Sequence, residues 1–179
     1  MHPLNQFKFC PKCGSEHFVD NDEKSKKCEE CGFVYYLNPS SAVACFIRNK
    51  DGEFLVVRRG KEPAKGTLDL PGGFVDRFES AEEAVRREVK EETGLEIGEC
   101  RYLFSIPNIY VYSGFEVHTL DMFFMCEVDD FAGAVAADDA EEILPLKLEE
   151  MDWRKFGLRS ISEAVERFGK ESRSLLFSI

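Results

Sequence analysis

Residues 80 to 94 read SAEEAVRREVKEETG, a stretch whose periodicity and whose chemistry pull in different directions. Ser80 followed three residues later by Glu83 is a capping box, and Gly94 is a stop, so a helix is predicted between them. With residues set at about 100° steps, Ala81, Ala84, Val85 and Val89 share the arc that should face a core, and Glu88, Glu91 and Glu92 fall in that same arc. The outer face takes Glu82, Glu83, Arg86, Arg87 and Lys90, with Glu82 to Arg86 and Glu83 to Arg87 spaced as i,i+4 surface ion pairs. An unpaired carboxylate is costly to bury, so three on an inward face require a compensating partner. Carboxylates one helical turn apart suit a hard divalent cation such as Mg²⁺ or Mn²⁺. The alternative is a solvated, acidic helix end that leaves the core early; it is disfavoured because acidic residues at a helix C-terminus oppose the macrodipole. Just upstream, Leu70, Pro71, Gly72 and Gly73 form a loop in which two glycines let backbone groups approach a phosphate or a metal closely.

A second constraint lies near the start. Cys10 and Cys13 form one CxxC pair and Cys28 and Cys31 another, each followed directly by a glycine, Gly14 and Gly32. Four thiolates so spaced can close around one tetrahedral zinc ion, and the spacing resembles a zinc ribbon. Two disulfides or a redox CxxC are the alternatives; a reducing compartment argues against the first and the lack of a surrounding βαβ pattern against the second. His17 between the pairs is either a spare ligand or a surface residue. Cys45, Cys100 and Cys126 sit among apolar residues and read as small buried thiols.

With 179 residues the chain has room for one domain with a real core and a small appendage. No opening segment has a basic start and an apolar core, and no window approaches a membrane span, so a cytoplasmic location and no membrane partner are expected. The balance of 34 acidic against 23 basic residues, a net charge of -11, disfavours nucleic acid and requires a local positive site for any anionic substrate. From Ser41 the order is strand, strand, helix, strand, strand, helix. A tight NKDG turn joins the first two strands, GKEPAKGTLDLPGG and DDFAGAVAADDAEE are connections, and a last helix runs from the Ser160 and Glu163 pair to Gly169. That order indicates a mixed α/β domain with helices packed on a sheet.

Gly73, then Glu79, then Arg87 to Leu95 reading REVKEETGL, fill every fixed position of a pattern that resembles the signature of the Nudix hydrolases. The resemblance implies an α/β/α sandwich with a mixed sheet over residues 38–179, after a small zinc ribbon over residues 1–37. It implies hydrolysis of a nucleoside diphosphate linked to some group X, a small-molecule nucleotide substrate, with Mg²⁺ or Mn²⁺ as cofactor and structural Zn²⁺ in the ribbon. By position Glu88, Glu91 and Glu92 correspond to the metal-binding and catalytic carboxylates and Glu79 to an accessory acid at the metal. Arg87 corresponds to the residue that orients a glutamate, and Gly73 lends a carbonyl to the metal. Some members place another catalytic glutamate on a loop after the signature; DDAEEILPLKLEE is the matching region, with Glu142 chosen over Glu141. Arg58 and Lys65 either meet substrate phosphates or solubilise the surface, and Tyr110 or Tyr112 either stacks on a base or joins the core.

A ribbon ahead of such a domain resembles the NADH pyrophosphatase branch, raising dinucleotides such as NAD(H) among the expected substrates, beside ADP-ribose, nucleotide sugars and nucleoside triphosphates. This chain departs from that branch in having nine residues before Cys10 and SIPNIYV, from Ser105 to Val111, where the branch carries SQPWPFP. The branch also suggests a homodimer, for which the apolar tail SLLFSI is a candidate contact. A rival function keeps the fold and drops the catalysis: a nucleotide-sensing regulator whose ribbon touches nucleic acid or protein.

Overall fold

The computed structural model describes residues 2–176. It divides into two compact units, one formed by Met1–Pro39 with Tyr110–His118, the other by Ser40–Ile109 with Thr119–Ile179. In the first unit, strands β1 (Phe18–Asp22), β2 (Ser25–Cys28) and β3 (Val34–Tyr36) form an antiparallel sheet in that order. Among the described residues its buried cluster is Cys10, Phe18 and Cys28, with Cys31 and Phe33 packed against them, and Leu4 is buried apart from it. So small a core cannot hold a unit of this size alone, and the unit needs a staple.

The second unit is built on a mixed sheet of seven strands. In chain order these are β4 (Ser40–Arg48), β5 (Glu53–Arg59), β6 (Leu68–Asp69), β7 (Gly72–Phe74), β8 (Cys100–Tyr112), β9 (Phe115–Glu127) and β10 (Ala140–Lys147). The main path runs β10-β5-β4-β9-β8, with β6 on β5 and β7 on β4. β4 pairs in parallel with β9 and antiparallel with β5 and β7. The central strand is apolar on both faces because both are covered. Ala44 and Phe46 enter one cluster with Phe54, Val56 and Phe123, while Val43, Cys45 and Ile47 enter the other with Leu55, Val57 and Phe124. Helix α1 (Ala81–Thr93) buries Ala84, Val85 and Val89 in the second cluster. Helix α2 (Arg159–Leu176) buries Ile161, Ala164 and Val165 in the first, with the Phe168 ring stacked on Phe46 at 4.3 Å. No helix among the described residues is long and apolar enough to cross a membrane.

Four expectations need correction. The connection ahead of α1 is not all loop, since β6 and β7 lie in it, and the stretch expected as a loop after the signature is edge strand β10 from Ala140. Ser160 does not cap α2; it lies inside the helix, buried, with its hydroxyl donated to the Asp121 carboxylate. Gly169 does not end α2 either, because a helix end needs a chain that turns away, and here the helix continues to Leu176. The side chains of SLLFSI lie outside the described residues.

At β7, a Cβ on Gly72 would overlap the Val43 carbonyl oxygen on β4, which only a bare backbone avoids. Gly72→Ala should therefore cost about 1–3 kcal/mol of stability by overpacking. Gly98→Ala, with nothing within 4 Å of its Cβ, should stay near neutral. Paired urea denaturation curves check the difference.

Candidate active site

The caps predicted for α1 are present. Ser80 Oγ accepts the Glu83 N–H, Glu83 accepts the Ser80 N–H, and Gly94 turns the chain at φ 73°. The C-terminal carbonyls, which would otherwise repel nearby carboxylates, are covered by the loop after β9, where Val135 N–H donates to the Thr93 oxygen and Ala137 N–H to the Glu92 oxygen. Lys90 reaches the Gly94 carbonyl at 3.2 Å and Glu96 at 3.1 Å.

Glu88 and Glu92 turn inward as predicted from the helical arc. Glu92 is 9 % exposed and the Glu88 side chain 14 %, whereas the Glu91 side chain, at 49 %, sits on the rim. Arg87 corrects the reading of the outer face. Its Nε and Nη2 each donate to Glu79 at 2.9 Å, Nη1 to Glu88 at 2.8 Å and Glu91 at 3.1 Å, and Nη2 also to the Phe74 carbonyl at 2.9 Å. The i,i+4 rule fails because Glu83 is committed to the cap, and Arg86 donates to the Glu82 and Gly98 carbonyls instead of a carboxylate. With so many anionic partners, Glu79 foremost, Arg87 is held more firmly charged than a free guanidinium, and its hydrogen bonds hold Glu79 below the usual carboxylate range.

Glu92 has no cationic partner among the described residues; its carboxylate accepts one N–H, from Gly72, at 3.2 Å. Burial first, and the neighbouring Asp69 charge second, push its pKa up to about 9, with the Gly72 N–H opposing. Burial also raises Glu88, with Arg87 opposing. Gly73 is required by this carboxylate: a Cβ there would lie 2.5 to 2.8 Å from the Glu88 carboxyl atoms. The three glutamates are drawn to different donors rather than to one point. Among the described residues, only the four cysteines form a group whose ligand atoms all lie within 4.8 Å of one another. The donor set nonetheless suits a hard cation: Glu92, a buried carboxylate without a cation of its own among the described residues, lies beside the two glycines of β7, with Glu88 facing the second of them.

Sequence reasoning missed Asp69 and Arg59. Asp69 is buried, its carboxylate bonded to Arg59 at 2.5 Å and to the Leu70 N–H at 2.9 Å, and burial raises its pKa against Arg59. An acid in the apolar run LDL was the available signal. Arg58 and Glu142 face each other across β5 and β10, bonded at 2.8 Å, and Arg58 also donates to the Gly66 carbonyl. Lys65 is exposed on the loop before β6. The Tyr110 side chain lies outside the described residues; Tyr112 is 63 % exposed, on the first unit, and is not a core residue.

In the first unit the two cysteine knuckles repeat one pattern. Gly14 N–H donates to the Cys10 oxygen and Gly32 N–H to the Cys28 oxygen, with φ 78° and 71° at the glycines. All four cysteines are free of disulfides. The Sγ separations of 3.7 Å for Cys10 to Cys31 and 3.6 Å for Cys13 to Cys28 match the roughly 3.8 Å edge of a tetrahedron with Zn–S bonds of about 2.3 Å. Hydrogen bonds, the Cys31 N–H foremost, push the Cys28 thiol well below its ordinary range while Cys13, which shares a proton with its neighbours, is pushed up, so Cys28 is the readier of the two to give the thiolate a metal takes. His17 is exposed beside Glu30 at 3.4 Å, away from a ligand role.

A capped helix presenting inward carboxylates to a Gly-Gly strand, on a mixed sheet with two helices, defines an α/β protein with acids gathered at one end of its helix. The NUDIX domain profile matches residues 38–167, and the chain belongs to the NUDIX family. It is 27 % identical over 142 residues to the NAD-capped RNA hydrolase NudC of Vibrio atlanticus (strain LGP32), covering 79 % of this chain and 49 % of that one. Over 60 residues it is 53 % identical to the ADP-ribose pyrophosphatase of Methanocaldococcus jannaschii, 34 % of this chain and 35 % of that one. The chain thus spans half or less of the length of these relatives. A NUDIX hydrolase structure from Nitrosomonas europaea superposes with a TM-score of 0.72 over 93 % of both chains at 22 % identity, a likeness of fold.

Two outcomes are predicted. The Glu92 contribution to stability is fully present below its ordinary pKa of 4.5 and is lost as pH rises toward about 9, because the folded chain keeps a proton that the unfolded chain releases. Between pH 6 and 9, without added divalent cation, Tm should fall with pH in the wild type and less steeply in Glu92→Gln. Cys28→Ser should lose about one zinc per chain in elemental analysis and melt the first unit, read from its amide signals, leaving those of the second in place.

Proposed function

We propose that the chain is a divalent-metal-dependent pyrophosphohydrolase that cleaves the phosphoanhydride of a nucleoside diphosphate linked to X. The observation that carries this reading is Glu92: a buried carboxylate, short of partners, beside Gly72 and Gly73 on a helix that also directs Glu88 inward. The architecture supports the family's α/β/α sandwich, and the four cysteines support a structural zinc ribbon.

Glu88 and Glu92, with the Gly73 carbonyl and Glu79 at the margin, would hold Mg²⁺ or Mn²⁺. Once bound, such an ion neutralises diphosphate oxygens and lowers the pKa of a water. Glu92 is the first candidate to take the proton of the attacking water, and Glu91 on the rim the second. Arg87 fixes Glu88 and Glu91 to the frame set by Glu79 and the Phe74 carbonyl, so the carboxylates need little reorganisation during reaction. Water adds to one phosphorus, the P–O bond to the bridging oxygen breaks, and two phosphate products leave. Lys65 and Arg58 supply charge to substrate phosphates, and Arg58 must first release Glu142, which is then free to act as a further base. The names of the relatives favour NAD-capped RNA and ADP-ribose over nucleotide sugars and nucleoside triphosphates.

Glu92→Gln should lower kcat by at least about a hundredfold while leaving the circular dichroism spectrum and zinc content unchanged. A hydrolysis panel of these substrates with Mg²⁺ and Mn²⁺, its products identified by mass, tests the reading. Absence of turnover on all of them in the wild type, or near-normal turnover in the variant, contradicts it.

A further inference from the structure

The turn between β7 and α1 carries a side chain that neither the core nor the carboxylate cluster uses. Phe78 is 101 % exposed, and its backbone has φ 69°. The turn is closed by the Glu79 N–H on the Asp76 carbonyl at 3.3 Å and by the Asp76 N–H on the Glu79 carboxylate at 2.9 Å. Phe78 therefore occupies the third position of a tight turn, where positive φ favours Gly or Asn and a bulky residue is strained. Single exposed apolar residues are ordinary. A large ring that is both fully exposed and held in an unfavourable backbone conformation is not, and such strain gathers at ligand sites.

Two neighbours indicate the ligand. The Arg77 guanidinium lies 6.0 Å from the centroid of the Phe78 ring, and among the described residues no carboxylate pairs with it. In a chain of net charge -11 an unpaired arginine is a local site for an anion. The turn is also fixed to the catalytic cluster, since Glu79 receives two hydrogen bonds from Arg87. An aromatic ring with a cation over one face and the other face open matches a nucleoside 5′-phosphate, the base stacking on the open face and the phosphate meeting the guanidinium.

We propose that Arg77 and Phe78 form a nucleotide clamp at the mouth of the carboxylate site, with Phe78 stacking on a substrate nucleobase and Arg77 holding the attached phosphate. The clamp deepens the hydrolase reading, on which it rests for the position of its ligand. It selects substrates that place a base, rather than a bare sugar phosphate, over this turn.

Binding of AMP and of ribose 5-phosphate, measured by titration calorimetry on the full zinc-loaded chain, tests it without requiring turnover. The wild type should bind AMP at least about tenfold more tightly than ribose 5-phosphate, in line with the worth of base stacking. Phe78→Ala should abolish that preference, Phe78→Tyr should keep it, and Arg77→Ala should weaken both ligands alike. An AMP preference that survives in Phe78→Ala, no measurable AMP binding by the wild type, or a change in oligomeric state as the only effect of the substitution would overturn the clamp. A wild type that binds AMP through Phe78 yet cleaves nothing would contradict the hydrolase reading alone; one that cleaves and is indifferent to Phe78 would contradict the clamp alone.

Discussion

The second unit's site depends on one guanidinium. Arg87 gathers Glu79, Glu88 and Glu91 and ties them to the Phe74 carbonyl, so the turn before the helix, the helix and β7 share one anchor. Without it three carboxylates would repel one another at short range in a poorly solvated place, and the like-charge cost would fall on the fold. With it, the repulsion is balanced in place. Glu92 is left outside this arrangement. It has burial and the Asp69 charge against it and only the Gly72 N–H in its favour.

The scaffold explains how that arrangement is tolerated. β4 is covered on both faces, so α1 rests on a rigid apolar platform through Ala84, Val85 and Val89. The helix end that carries the acids is completed by Gly94 and by the N–H groups of Val135 and Ala137, which offset the unfavourable dipole. Gly72 and Gly73 are small for two different reasons: one lies against the backbone of β4, the other against the carboxylate of Glu88. The first unit solves a different problem, a core too small to fold, with the geometry of four sulfurs.

Much of this was legible in the residues. Helix α1 could be placed because its caps and its 3.6-residue period are local, and the cysteine site because its spacing is local too. What escaped was non-local. The glutamate-orienting place of Arg87 follows from the family pattern, but its pairing with Glu79 does not follow from the i,i+4 rule, which compares residues within a helix, while Glu79 precedes the helix. Asp69 and Arg59 meet through the β5 and β6 pairing, and Arg58 meets Glu142 through β5 and β10, neither of which a one-dimensional pattern reveals. Gly169 reads locally as a helix stop, but the packing of Phe168 on Phe46 and Phe54 carries α2 past it.

The central claim is that the inward glutamates of α1 hold a divalent cation that the reaction needs. Titration of Mn²⁺ followed by the electron paramagnetic resonance signal of the free ion measures this directly. The account predicts saturable binding by the wild type that is largely lost in the Glu88→Gln, Glu92→Gln double variant with its fold and zinc retained. Equal Mn²⁺ binding by the two proteins would contradict it.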